Sequence, residues 1–289
     1  LTYNSTNATT RKNLAEFANF NYNSSSEQNP FEIHNFHKAA GYGLTGSGKT
    51  VAVVDDGYDN DHHDLSDKTI TTYGTVDQAV NNSVTDTHGL SVMGVIGADL
   101  GDGNLVGAAP NVNFHISSFN NLNGQTYINK HLANATTDAY NNNAIAQNNS
   151  WGSSITVTQV KNLATTYSLT NKAAFSYYAH GTILGYQAVQ DYVDALNTFQ
   201  TKGVIVWSHS NVTLSNSGMY AALPELFSEL EEAWITAVNI EIDGNAGSET
   251  YTLQSSGCGD TARYCMGGDG HNITLLADGD QYWAGGTAS

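Results

Sequence analysis

The chain has 289 residues, room for one large α/β domain or two small ones, and its 40% hydrophobic content is enough to bury a sizeable core. Asp and Glu total 27 against 10 Lys and Arg, a formal net charge of -17 that repels phosphate backbones and anionic membranes and argues against nucleic-acid binding. Charged residues are only 13% of the chain while Asn, Ser, Thr and Gly abound, a surface more common outside cells. No apolar stretch reaches the ~18 residues that suggest a membrane span. Leu1 opens the chain without a basic or apolar leader, so an exported protein would be in its mature form.

Residues 1–30 are rich in Asn, Ser and Thr with no sustained period, and read as an extension ahead of a domain at 31–289. Gly43 to Thr50 fit the Gly-x4-Gly-Lys-Thr phosphate-loop pattern, but such a loop must follow a strand and open a helix. Here it follows a helix-like segment and leads into an apolar run at 51–54, which predicts a glycine-rich turn before a core strand. That strand ends in Asp55-Asp56-Gly57. His62 and His63, with Asp59, Asp61 and Asp64, form a cluster that could ligate a cation; a hydrogen-bonded turn is the plainer reading, and no metal site is assigned.

His88 begins a helix whose body covers 89–98, and a strand follows at 112–118. A helix is expected at 133–144, a strand end at 146–150, a helix at 187–201, and strands at 204–207 and 234–240. Strands separated by helices predict a mainly parallel sheet covered on both faces, with polar functional residues at the strands' carboxyl ends. Cys258 and Cys265 lie close together with Gly259-Asp260 between them. A local disulfide and a pair of buried thiols are both compatible with that spacing.

The block from Val51 to Gly57, the helix from His88 to Ala98 and the following Gly107-Ala108-Ala109-Pro110 closely resemble the aspartate and histidine blocks of the subtilisin-like serine proteases. Further similarity lies in Asp61-His62-His63-Asp64-Leu65, in Asn149-Ser150-Trp151-Gly152, and in the run from Val204 to Asn211. There His209-Ser210-Asn211 stands where the family has Ala-Gly-Asn. Ser256 to Cys265 and Trp283 to Ser289 resemble the approach to the nucleophile, in the style of the bacterial autotransporter type.

This resemblance implies a three-layer α/β fold and a serine endopeptidase. His88 would be the general base, Asp55 its orienting partner, and Asn211 the side-chain donor to the oxyanion. Ser150, Trp151, Gly152, Trp207 and Ser208 would border the groove for a peptide or protein substrate, bound as an added strand. No cofactor is required; calcium is common in the family, but no loop here names its site. The closing Gly286-Thr287-Ala288-Ser289 reads as a Gly-Thr-Ser turn with alanine at the nucleophile position, so the chain as given is expected to be inactive. Either a deliberate Ser-to-Ala change or a natural pseudoprotease accounts for Ala288. The fold is expected to be completed by a C-terminal polypeptide, and the protein to be secreted or at the cell surface. A non-catalytic peptide-binding or assembly module is the alternative function.

Overall fold

The computed structural model describes residues 1–22, 28–76, 88–101, 103–245 and 247–285. Its elements begin with α1 (Ser5–Lys12), α2 (Ala15–Ala18), α3 (Pro30–Ile33), α4 (Phe36–Gly41), β1 (Thr50–Asp55) and β2 (Ile70–Tyr73). Then come α5 (His88–Gly97), β3 (Asn113–Ser118), α6 (Ile128–Asn141), β4 (Ala144–Asn149), α7 (Val157–Tyr167), α8 (Asn171–His180) and α9 (Tyr186–Gln200). The strands β5 (Val204–Ser208), β6 (Trp234–Asp243), β7 (Thr250–Leu253), β8 (Cys265–Gly268), β9 (Ile273–Ala277) and β10 (Gln281–Gly285) complete the described chain.

Among the described residues the main sheet has the order β2-β3-β1-β4-β5-β6-β7, with β8 also paired to β6. Its pairs are parallel except β6 with β7, while β9 and β10 form a separate antiparallel hairpin. The two-residue period of β1 explains why both faces are covered. Ala52 and Val54 join a core with Leu132 of α6, Val160 of α7 and Leu196 of α9. Val53 points the other way, toward Leu90 and Met93 of α5, Phe114 and Ile116 of β3, and Leu276 of β9.

The helix expected at 133–144 begins earlier, at Ile128, and stops at Asn141. Asn143 adopts φ 61°, the left-handed conformation that commonly ends a helix and that Asn tolerates, so Ala144 is free to start β4. The N-terminal extension is not bare chain. Asn4 caps α1 by accepting from the Thr6 and Asn7 amides, and Phe17 and Phe20 pack with Phe31, Val106, Ile273 and Leu275.

The phosphate-loop lookalike is a turn, as its context predicts. Gly46 has φ 80°, and a Cβ there would lie 2.2 Å from Val112 Cγ1, so glycine is demanded twice over. The segment runs into β1 and opens no helix, so its amides form no helix N-terminus for a phosphate.

Candidate active site

Asp55 ends β1 at the carboxyl edge of the sheet, and His88 is the first residue of α5. Their approach depends on Gly89. Its N–H donates to Asp56 O at 3.0 Å, and an added Cβ would stand 2.3 Å from that oxygen and 2.4 Å from Gly57 O. Both obstacles are backbone, which cannot swing aside. Gly89→Ala is therefore expected to cost about 1–3 kcal/mol in urea unfolding. A loss below about 0.5 kcal/mol would show that the helix end is free to shift.

His88 Nδ1 lies 2.8 Å from Asp55 Oδ1, which also accepts from the Asp56 amide at 2.8 Å. A carboxylate only accepts, so Nδ1 carries the hydrogen and Nε2 keeps its lone pair. Asp55 is wholly buried, and burial pushes its carboxyl up to about 6 against the opposing hydrogen bond and charge of His88. Burial alone would lower the His88 imidazole. The hydrogen bond and negative charge of Asp55, together with the charge of Asp56, outweigh it and hold His88 above its ordinary value.

His88 borders a cleft of about 490 Å³ that also takes in Asn148, Ser150 and Asn211. Ser150 follows β4 directly, and Asn148, two residues earlier, donates from Nδ2 to Ser150 Oγ at 2.7 Å. The role of Asn148 was missed in the sequence, although the strand period places it on the same side as Ser150. One wall is fixed by Ser91, whose hydroxyl donates to Leu276 O at 2.9 Å and accepts from Trp283 Nε1 at 3.3 Å. This seats the β9–β10 hairpin on α5.

Of the other expected groove residues, Trp207 and Ser208 lie deeper. Trp207 is wholly buried, its ring stacked 5.7 Å from Tyr220 and 5.8 Å from Trp234, so it belongs to the core and not to the cleft wall. It acts on the groove from behind: its Nε1 donates to Trp151 O at 2.9 Å. Trp151 is half-buried and stacks on Phe119 at 5.1 Å. Gly152 is exposed, and a Cβ there would meet nothing within 4 Å. Ser208 is buried at the end of β5. Cys258 and Cys265 are disulfide-bonded, with Cα atoms 6.0 Å apart. Ala288 lies outside the described residues.

The histidine–aspartate cluster forms a turn locked to the β10 side of the hairpin. His62 Nδ1 accepts from the Asp64 amide at 3.1 Å, so its Nε2 holds the hydrogen and faces Gln281 O at 3.4 Å. His63 bonds Asp280 Oδ1 through Nδ1 at 2.9 Å and the Tyr282 hydroxyl through Nε2 at 2.6 Å. Asp59 accepts from the Asp61 and Gly279 amides. Burial, foremost, raises the Asp59 carboxyl to about 6. His62, His63 and Asp280 have donor atoms within 4.8 Å of one another. With the His62 Nε2 protonated this set does not suit a transition metal, and calcium favours oxygen ligands over imidazole.

A mainly parallel α/β sheet that sets a buried aspartate against a histidine at a helix start is the framework of a serine-hydrolase type of protein. The chain matches the Subtilase family over residues 46–285, and it belongs to that family. Solved structures of similar fold include Sphericase, at 19% identity and a TM-score of 0.56, covering 84% of this chain and 73% of that one. MycP1 from Mycobacterium smegmatis is similar at 19% identity and a TM-score of 0.55, covering 94% and 71%. The PatG macrocyclase in complex with peptide aligns at 10% identity and a TM-score of 0.61, covering 89% and 77%. At these identities the likeness establishes the fold. No curated protein matches the chain in sequence.

Proposed function

We propose that this chain is the scaffold of a serine endopeptidase that cuts peptide bonds through Asp55, His88 and a serine at position 288, and that Ala288 leaves it inactive. The observation that carries this reading is the 2.8 Å hydrogen bond from His88 to the buried Asp55, with His88 bordering the same cleft as Ser150 and Asn211. With Nδ1–H committed to Asp55, Nε2 takes the proton of the attacking hydroxyl and returns it to the leaving amine. Asp55 keeps the tautomer and offsets the positive charge formed on the ring. Asn211 donates its side-chain amide to the developing oxyanion. Ser150 and Gly152 offer backbone to an extended peptide, which adds as a strand beside them.

The test is the change Ala288→Ser in the full-length chain. Hydrolysis of peptide substrates, blocked by a serine-directed phosphonate and abolished by His88→Ala, supports the enzyme. Ala288 itself favours a second reading, a peptide-binding or assembly module. Peptide binding without turnover in the serine form would establish that reading instead.

The protein is further proposed to be of the bacterial autotransporter style and to act outside the cell or at its surface. In support, Cys258 and Cys265 are bonded, as suits an oxidising compartment. A C-terminal polypeptide, joined to the chain or cut from the same precursor, is proposed to complete the fold, packing beside the cleft lining of Phe31, Val92, Val95, Ile96, Ile273 and Leu275. Phe31, Val92, Ile273 and Leu275 are buried and Val95 and Ile96 half-buried, so it is as the apolar lining of the cleft that they would meet it. Residues 1–289 alone are expected to raise ANS fluorescence, and a chain extended through the completing segment to suppress it. Equal fluorescence from the two would refute the proposed completion.

A further inference from the structure

His209 and Ser210 connect β5 to Asn211, and both are tied to a distant turn. His209 is 1% exposed, and its N–H donates to Ala237 O at 2.9 Å. Its Nε2 lies 3.0 Å from Thr261 Oγ1, which itself lies 2.7 Å from Cys258 O. A carbonyl only accepts, so Thr261 uses its hydroxyl hydrogen there, and the hydrogen between Thr261 and His209 must come from the imidazole. His209 is therefore the Nε2–H tautomer. Its Nδ1 is buried with no hydrogen-bond partner among the described residues, and burial holds its pKa down to about 4.

Thr261 is a firm anchor. It is wholly buried in the helical turn Gly259–Tyr264, which the Cys258–Cys265 disulfide closes, and its hydroxyl also lies 3.2 Å from Thr236 Oγ1. Ser210 adds a second tie, its carbonyl accepting from the Ser256 amide at 2.8 Å and its hydroxyl from the Val212 amide at 3.2 Å. Ser256 Oγ accepts from the Leu214 amide at 3.3 Å, fastening the loop beyond Asn211. Asn211 is thus presented to the cleft from a segment held on both sides.

We propose that His209 is the positioning residue for Asn211, fixing it in the cleft by anchoring the end of β5 to the disulfide-closed turn through Thr261. The catalytic consequence rests on Asn211 acting as the oxyanion donor; the anchoring does not. In ¹⁵N-labelled chain 1–289, His209 is expected to show Nε2–H with no titration between about pH 5 and 8, since a buried neutral imidazole resists protonation. His209→Ala should move the Asn211 side-chain amide resonance and raise hydrogen exchange across 209–214. His209→Gln, whose amide reaches the place of Nε2, should restore both. Thr261→Val, which removes the hydroxyl alone, gives the same readouts should His209→Ala fail to fold.

In the full-length Ala288→Ser chain, His209→Ala should lower kcat about 10- to 100-fold with KM little changed, as expected for a misplaced donor. In an Asn211→Ala background it should cost nothing further. A His209 ring that titrates near 6.5, an unmoved Asn211 resonance, or additive losses would each overturn the proposal. If Asn211→Ala leaves kcat intact, the oxyanion reading fails instead, and the anchoring is decided by the Asn211 resonance alone.

Discussion

Restoring a hydroxyl at position 288 in the full-length chain is expected to produce peptide-bond cleavage that His88→Ala reduces by about 10⁴–10⁶-fold, the usual cost of removing a base that acts as a unit with its nucleophile. Asp55→Asn should cost about 10⁴-fold, because an amide in place of the carboxylate favours the wrong tautomer of His88. The two losses should not add. Both changes disable one proton-transfer device, and the residual rate then comes from the oxyanion site and from binding. Additive losses would mean that Asp55 acts independently of His88, contrary to their 2.8 Å hydrogen bond.

The pH profile gives a second reading of the same pair. An imidazole acts as a base only when neutral, so if His88 is the base of the serine form, kcat/KM should rise with pH along a limb governed by its ionisation. Asp55 and the charge of Asp56 together favour the protonated ring more strongly than burial disfavours it, which places that limb above the ordinary imidazole value of about 6.5. In Asp55→Asn desolvation is opposed only by the charge of Asp56, and the limb should move to lower pH even as the maximal rate falls. A limb unmoved by Asp55→Asn would sink the assignment of Asp55 as the controlling partner.

The aspartate and histidine were legible because each sits at a local boundary: Asp55 where an apolar run meets Asp56-Gly57, and His88 where a helix of small residues begins. The parallel core strands were legible for the same reason, since period and length are local signals. What escaped depends on distant partners. Trp207 on an apolar strand reads alike whether it faces a groove or a core; its rings are supplied by Tyr220 and Trp234, which no spacing announces. The pairing of β8 with β6 and the seating of the β9–β10 hairpin on Ser91 are also long-range. One omission had a local signal. Thr156 and Gln159 form a reciprocal capping box at the start of α7, a spacing visible in the sequence.

Lys68→Met is expected to destabilise the protein by about 3–5 kcal/mol, the cost of stranding one charge of a buried ion pair. The side chains of Lys68 and Asp99 are almost wholly buried, with Nζ 2.5 Å from Oδ1, and Lys68 also donates to Pro110 O. Asp99 Oδ2 accepts from the Asp67 amide at 2.9 Å, and the Asp99 amide donates to Asp64 O at 2.7 Å. These contacts fasten the 64–68 turn to the chain just past the end of α5, whose other end carries His88. Removing the lysine leaves a buried carboxylate facing an apolar side chain. A melting temperature lower by about 10 °C is the corresponding thermal result. Adding Asp99→Asn removes the stranded charge yet keeps an acceptor for the Asp67 amide, so the double variant should recover at least about half of the loss, a coupling that a double-mutant cycle measures directly. Were Lys68→Met to cost under about 1 kcal/mol, the value of an exposed pair, the 64–68 turn would be dispensable for holding α5. If it costs the full amount and Asp99→Asn restores nothing, the lost packing of the lysine stem outweighs its charge.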